Sequence, residues 1–553
     1  MVSTVSSLSS IIQTLLKKRG LVAKKDQLEF LSPLKPEKIK LNSVGLDKTQ
    51  ISKALNRLKT AKKNQELIYI YGDYDADGIS STAILWETLT ACGFNALPYI
   101  PGRNDPIRGL SPFGLAEIFK NHQPKLIITV DNGISSFKGC QYAKKFKADV
   151  IITDHHLPKT KNHQPVLPQV LAIIHTTQLA GAGVSWFFSR EISQKLSHPR
   201  GGNFFHPGGD ELDLAALGTI ADMVPLLQAN RSLAKYGLDK LRSTKRPGLI
   251  SLAKVAKVDL NNLEDYQVGY TIAPRLNALG RLDHALDALR LLCTHDPKRA
   301  AKLADHLTEI NQLRQDKTLS MFTDAQVKVK KLSQKFLIFV ADASYHEGVV
   351  GLVAGRLMEE FNLPAVVVAL GKHTSKASAR SIPAFNVLKA IRQLEPYLLE
   401  HGGHKLAAGF TFENKHLKTI STKLTQLAKN DLSGKTLPST IAFDCFLDFN
   451  QLNWKLFDAL QQFKPFGFSN PQPIFQTKQV KVVAFRPVGH ENKHLKLTVQ
   501  QDNIKLEAIA FSFGYLAEKL EKNQLVDITY TLEANEWNNQ KSLQLKIKDF
   551  CKC

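Results

Sequence analysis

"YIYGDYDADGISS", residues 69–81, sets Asp73, Asp75 and Asp77 at alternate positions directly behind an apolar run. Such a run, closed by a glycine and followed by the helical pattern "STAILWETLTACG", reads as a buried strand feeding a helix. In the extended continuation of that strand Asp75 and Asp77 project to the same side. Like charges crowded there repel, so whatever neutralises them decides the chemistry.

Outward from this stretch, short β-rich runs keep alternating with helical patterns. "KLIITVD" and "DVIITDHH" are followed by "VLAII", which is the signature of a doubly wound parallel sheet. In such a sheet ligands sit at the carboxyl ends of the strands. Those ends carry Asp131 in "ITVDNG" and Asp154, His155 and His156 in "IITDHH", and "GTIADMVPL" is read as adding Asp222 at a further strand end. Any one of these aspartates, taken alone, reads equally well as a helix cap or turn residue. Together they would be unstable unless divalent cations neutralised them. Oxygen ligands with an imidazole suit Mn²⁺ or Mg²⁺, whereas Zn²⁺ more often recruits thiolates, and no cysteine falls in these motifs. Two ions about 3.5–4 Å apart would activate a water and stabilise the leaving oxygen of a phosphodiester, so the inferred reaction is metal-assisted phosphoryl hydrolysis.

Composition sets the frame. A chain of 553 residues has room for several domains of about 150 residues, and 43% apolar residues exclude disordered and fibrous classes. The net charge of +23 attracts polyanions. Six scattered cysteines lack a pairing framework, which fits a reducing, cytoplasmic setting. The longest apolar run, "LPAVVVAL" at 363–370, is too short to span a bilayer, so no membrane role is expected. After Pro297 a helical periodicity runs for some 35 residues, a rigid spacer between two lobes. A second α/β unit follows, and beyond residue 438 alternating strands such as "KLTVQ" and "VDITYTL" suggest a small OB-type barrel. The polar, helix-like residues 1–65 read as a leader packed on the next domain.

"GDYDADG", "VDNG", "TDHH" and "GTIAD" resemble the motifs of the DHH phosphoesterase superfamily. With "PRLNALGRLD" (274–283), "YHEGVVG" (345–351), "KASARSIPAFN" (376–386) and "GGHKLAAG" (402–409), the order resembles that of the RecJ family of single-stranded-DNA exonucleases. The implied fold class is α/β: a parallel-sheet DHH domain (66–230), a helical region with a long connecting helix (231–335), a smaller α/β DHHA1-type domain (336–437) and a C-terminal OB-like β-barrel (438–553). The implied activity is 5′-to-3′ removal of mononucleotides from single-stranded DNA, in recombination and repair, with two Mn²⁺ or Mg²⁺ ions.

Carried over by resemblance, Asp75, Asp77, Asp131, His155 and Asp222 are metal ligands, with Asp131 the bridge. Asp154 orients a histidine, and His156 faces the scissile phosphate as charge stabiliser or proton donor, or is a further ligand. Arg275, Asn277 and Arg281 contact the substrate backbone; Ser378, Arg380 and Arg103 hold the terminal 5′ phosphate; His404 approaches the nucleic acid. On the barrel, Phe463, Phe466, Phe468 and Phe475 are either core or base-stacking residues. Implied partners are single-stranded DNA, a single-strand-binding protein and a RecQ-type helicase, with the chain a monomer. Departures from the family pattern are His175-Thr176-Thr177 in place of Asn-Pro-Asn, Ile107 and Arg108 before "GLS", Tyr345 for Trp, and a Gly-rich insertion at 197–212. The competing readings are a phosphodiesterase for short oligonucleotides or cyclic dinucleotides, a pyrophosphatase, and a non-catalytic DNA-binding scaffold. A barrel behind the second α/β unit and the positive charge favour a polymeric substrate.

Overall fold

The apolar run behind the three aspartates is the first strand of a fully parallel sheet. The computed structural model describes residues 7–102, 105, 109–162, 164–197, 211–332, 335–435, 442–537 and 540–552. In it β1 (Ile68–Tyr71), β2 (Ala96–Tyr99), β3 (Leu126–Val130), β4 (Asp149–Asp154) and β5 (Ala172–His175) lie in the order β2-β1-β3-β4-β5. Every residue of β1 and β3 is buried, as expected of a parallel sheet covered on both faces. This order reverses direction between β1 and β3, the switch point at which open α/β sheets form a crevice beyond their carboxyl ends. Asn132 ties that point together by donating from Nδ2 to the carbonyls of Tyr71 and Val130.

Asp222 is not at a strand end, as the sequence suggests, but at the C-cap of the helix Leu212–Ala221. That segment is apolar on nearly all sides, which leaves its periodicity ambiguous between a buried strand and a buried helix. Among the described residues no helix is long and apolar enough to cross a membrane.

Contacts divide the chain into two compact units, Met1–Ala273 with Leu289–Ala300 and Ile441–Cys553, and Pro274–Ala288 with Ala301–Thr440. The helix Pro297–Leu332 has 36 residues, about 54 Å of axis, and belongs to the second unit from Ala301 onward. In that unit β6 (Ile338–Asp342), β7 (Ala365–Ala369), β8 (Thr374–Arg380), β9 (Glu400–His404) and β10 (Ala407–Glu413) form a sheet in the order β9-β10-β8-β7-β6. Only β6 and β7 pair parallel. "GGHKLAAG" is the β9–β10 hairpin.

In the first unit β11 (Cys445–Phe446), β12 (Phe475–Val488), β13 (His494–Gln501), β14 (Ile504–Ala510), β15 (Leu525–Trp537) and β16 (Gln540–Lys552) run in the order β11-β12-β13-β14-β16-β15. Pairing of β12 with β15 closes the barrel that the strand alternation predicts. The leader packs on the next domain only in its later part, where Arg57 meets Asp149 and Gln50 meets the Ile173 backbone. Ile11, Leu15, Leu16 and Phe30 share one core with Phe463, Phe475 and the inward residues of the barrel. Only the chain just beyond them reaches the parallel-sheet domain, where Arg190 donates to the carbonyls of Pro36 and Ile39.

Arg231, 0% exposed, joins these pieces. Its guanidinium donates to the carbonyls of Phe30, Gln462, Phe463, Lys464 and Pro465 and lies 3.9 Å from the centroid of the Phe30 ring. Burial, with Arg19 nearby, lowers it to about 10, yet it stays cationic at neutral pH. Five carbonyl dipoles replace the water that a buried guanidinium would lose.

Candidate functional site

Seven acidic or imidazole groups converge beyond β1, β3 and β4. Asp75 is the N-cap of the helix Ala76–Ala91, and its Oδ1 accepts from the backbone N–H of Asp77 and Gly78, 3.0 Å each. The cap reading and the ligand reading of this residue are therefore compatible, because the cap uses one carboxylate oxygen. Asp77 lies in the first turn of that helix, and the N-terminus of another holds its carboxylate: Gly181 N–H donates to Oδ2 at 2.7 Å and Ala182 N–H to Oδ1 at 2.8 Å. A Cβ on Gly181 would lie 2.6 Å from Asp131 Oδ1, and one on Gly218 would lie 2.5 Å from Asp77 Oδ1, so neither position has room for a side chain. Asp131 adopts a left-handed backbone, φ 61°, directly after β3.

His155 Nε2 faces three carboxylates, at 3.0 Å from Asp131, 3.7 Å from Asp222 and 3.9 Å from Asp77. Burial, and then His156, lowers this imidazole to about 4, so it is neutral at pH 7. Its ring hydrogen bond goes to the Leu179 backbone, and Nε2 and Asp131 Oδ1 are both buried without a hydrogen-bond partner. Two such atoms 3.0 Å apart need a proton between them or a cation beside them. The carboxyls tell the same story. Burial, and then Asp75, raises Asp77 to about 7; burial, and then Asp77, raises Asp222 to about 9 and holds Asp131 well above the usual carboxylate range.

Asp73, Asp75 and Asp131 have ligand atoms within 4.8 Å of one another, as do Asp77, His155 and Asp222, and Asp131, His155 and His156. These are hard oxygens with imidazole and no thiolate, a donor set suited to Mn²⁺ or Mg²⁺. Asp73 is the addition to the expected set; it is the first of the three alternate aspartates, and the family resemblance carries over only Asp75 and Asp77.

Asp154 takes a different part. Its Oδ1 accepts from His156 Nδ1 at 2.8 Å and from the N–H of His155 and His156, and its Oδ2 from Ile134 N–H. Burial opposes its ionisation, but the His156 hydrogen bond keeps the carboxyl below its ordinary value. Burial likewise opposes protonation of His156, yet the Asp154 contact raises the imidazole to about 9. His156 is thus a cation at pH 7, with its side chain 50% exposed beside a buried acidic cluster. His175 supports it through a contact of 2.7 Å between its Nε2 and the His156 carbonyl. This is a residue that the departure from Asn-Pro-Asn flags without explaining.

Three family models match: the DHH family N-terminal domain at residues 67–219, the DHHA1 domain at 326–430 and the RecJ OB domain at 443–549. Over 529 residues the chain is 32% identical to the single-stranded-DNA-specific exonuclease RecJ of Haemophilus influenzae, covering 90% of each. The chain belongs to the RecJ family. Identity to the RecJ of Bacillus subtilis is 36% over 513 residues, 90% of this chain but 63% of that longer relative. The RecJ of Thermus thermophilus crystallised with Mn²⁺ superposes with a TM-score of 0.81 at 28% identity, over 100% of this chain and 79% of that one. The Mg²⁺ complex gives 0.76 at 27%, over 100% and 78%.

The remaining RecJ-motif residues lie in the second unit. Arg275, Asn277 and Arg281 occupy the helix Ala273–Leu282, and Arg281 Nη1 donates to the Gly348 carbonyl. Ser378 and Arg380 stand together on β8, joined at 3.2 Å. Gly351 opens the helix Val350–Phe361 against both: a Cβ there would lie 3.0 Å from Ser378 Oγ and 3.2 Å from Arg380 Nη2. Arg314 and Arg356 extend the cluster, and neither is in the expected set. Burial, and then the neighbouring Arg281, Arg356 and Arg275, lowers Arg314 to about 10. His404 ends β9 and is exposed. Arg103, Ile107, Arg108 and most of the 197–212 insertion lie outside the described residues. Of the four barrel phenylalanines, Phe463 and Phe475 are fully buried and Phe466 packs on the core, which leaves only Phe468 exposed.

Proposed function

We propose that this chain is a single-stranded-DNA-specific exonuclease that works from the 5′ end and releases 5′-mononucleotides by phosphodiester hydrolysis. The observation that carries the reading is the buried convergence of His155 Nε2 and Asp131 Oδ1, 3.0 Å apart, with Asp73, Asp75, Asp77 and Asp222, a donor set whose repulsion divalent cations would relieve. Asp75, Asp77, Asp131, His155 and Asp222, joined by Asp73, would hold two Mn²⁺ or Mg²⁺ ions. Bound there, such ions polarise a phosphoryl oxygen and lower the pKa of a bound water.

The chain's own groups do the rest. Helix N–H donors fix Asp77, and the hydrogen bond to Leu179 fixes the tautomer of His155 that leaves Nε2 as an acceptor. Asp154 holds a proton on His156, whose charge stabilises the phosphate and whose proton goes to the leaving 3′ oxygen as the P–O3′ bond breaks. The shortened strand keeps the phosphate as its new 5′ end. Arg275, Asn277 and Arg281 take backbone phosphates; Ser378 and Arg380, with Arg103, take the terminal 5′ phosphate; His404 approaches the strand. A single-strand-binding protein and a RecQ-type helicase are proposed as partners on the family resemblance alone.

The test is Mn²⁺-dependent digestion of one single-stranded oligonucleotide labelled separately at each end, comparing wild type with Asp131→Ala. Immediate release of labelled mononucleotide from the 5′ end, abolished by the substitution and by chelation, is expected. Cleavage confined to di- or trinucleotides would replace the polymer reading, and binding without cleavage would leave only a scaffold.

A further inference from the structure

We infer that a cavity of the first unit, walled by the helices Gly181–Leu196 and Lys48–Lys63 and the segment 37–41, binds the phosphate group of a small molecule. The inference goes beyond the exonuclease reading and stands or falls without it.

The cavity measures about 380 Å³, within the usual range of small-molecule sites. Arg190 lies in its wall, on the helix whose first N–H groups hold Asp77. Residues 181 and 190 are about 13 Å apart along that axis, so the cavity is separate from the acidic centre. Arg190 is 6% exposed. Its Nη1 donates to the carbonyls of Pro36 and Ile39, its Nη2 to Glu191 Oε1 at 3.2 Å, and the guanidinium lies 4.9 Å from the Phe187 ring centroid. Nε is buried without a hydrogen-bond partner. Nη2 keeps a second hydrogen, and Nε and Nη2 share one edge of the guanidinium, the fork that suits two oxygens of a phosphate. A buried donor without an acceptor is costly, and an oxyanion in the cavity supplies the acceptor.

The rest of the lining agrees in sign. Lys38, Lys40, Lys48 and Lys195 stand with Arg190 against the carboxylates of Glu37 and Glu191, which leaves three positive charges in excess. Glu191 is already shared between Arg190 and Lys195, 3.2 Å from each. Lys38, Lys40 and Lys48 are exposed and have no ion pair among the described residues. The positive end of the helix Lys48–Lys63 adds to them, and Asp47, which caps that helix, is outside the lining. Such an excess suits a phosphate monoester, with close to two negative charges at pH 7, better than a lone carboxylate. The volume sets the size: a molecule as large as a mononucleotide fits, whereas a polymer would lie across the exposed lysines without reaching the buried guanidinium.

The test follows hydrogen–deuterium exchange of the full chain in EDTA, with thymidine 5′-monophosphate or inorganic phosphate added. Both should slow exchange in residues 37–52 and 190–195. The double variant Lys40→Glu, Lys48→Glu, at exposed positions, should raise the half-saturating concentration at least about tenfold. Arg190→Lys keeps the charge and loses the fork; it should weaken binding about tenfold, with thermal unfolding to confirm that it is folded. Tighter binding of the monophosphate assigns an organic phosphate as the ligand, and equal binding assigns the free ion. Unchanged exchange in these segments at millimolar ligand overturns the site, and so does protection that survives the double variant. Displacement of the monophosphate by an oligonucleotide without a terminal phosphate also overturns it, since the lysines would then serve a polymer. Each of these failures leaves the end-labelled digestion, and the reading it tests, untouched.

Discussion

The acidic centre of the first unit and the arginine cluster of the second are opposites built by the same device. In one, burial and mutual repulsion raise Asp77, Asp131 and Asp222; in the other, burial and mutual repulsion lower Arg314. Each is electrostatically incomplete by itself, and the sign of what is missing names the ligand: metal ions for the carboxylates, phosphates for the guanidinium groups. A fold that keeps two such incomplete sites gives up stability in both for binding power, which is the usual relation between strain and function.

The comparison can be broken most sharply at Asp131. Replacing it with asparagine should lower kcat on the order of a thousandfold, since one preorganised electrostatic group at a reacting phosphate is worth that much. The same change should raise the thermal midpoint of the metal-free protein, because one member of a repelling set is gone. Retained activity would show that the centre serves some other purpose. At the arginine cluster, Arg380→Ala should cost roughly 10–100-fold in kcat/KM on 5′-phosphorylated strands, the loss of a charged hydrogen bond. Equal losses on phosphorylated and unphosphorylated strands would remove the terminal phosphate from the reading.

Glu211 separates burial from crowding. It is buried with Oε2 unpartnered, and burial, ahead of the neighbouring Glu87 and Asp213 charges, raises it from 4.5 to about 7. A carboxyl whose folded pKa lies above its unfolded value favours folding while protonated, and that advantage drains away as pH climbs from 4.5 to 7. Glu211→Gln should therefore match wild type near pH 4 and exceed it by about 3 kcal/mol above pH 7, measured by denaturant unfolding at both pH values. The smallest effect belongs to His175. Its substitution by alanine releases the His156 carbonyl and should slow cleavage about fivefold with little change in thermal midpoint.

How much of this was legible depended on whether the signal was local. The parallel sheet, the long helix and the barrel were readable because strand and helix periodicities are written in consecutive residues. Asp75, Asp77, Asp131 and His155 were readable as candidates because strand ends are where such folds expose ligands. Asp222 was found but assigned to the wrong element, because an all-round apolar helix carries no period. His175, Arg314 and Arg356 were missed as functional candidates; their significance lies in neighbours distant in sequence. Of the phenylalanines in "FKPFGFSNPQPIF", Phe463, Phe466 and Phe475 take the core alternative and only Phe468 is exposed.

The core shared by residues 11–30 and 445–547, with Arg231 fastened to both, has a consequence for synthesis. On the ribosome the leader helices emerge first and their partners last, so their apolar faces stay without a home for nearly the whole of translation. At roughly 5–20 residues per second, the several hundred residues in between take tens of seconds to make. During that interval the nascent chain offers Ile11, Leu15, Leu16 and Phe30 to any holdase that binds exposed apolar segments. Release of the completed barrel, rather than completion of the parallel sheet, is the event that ends the exposure.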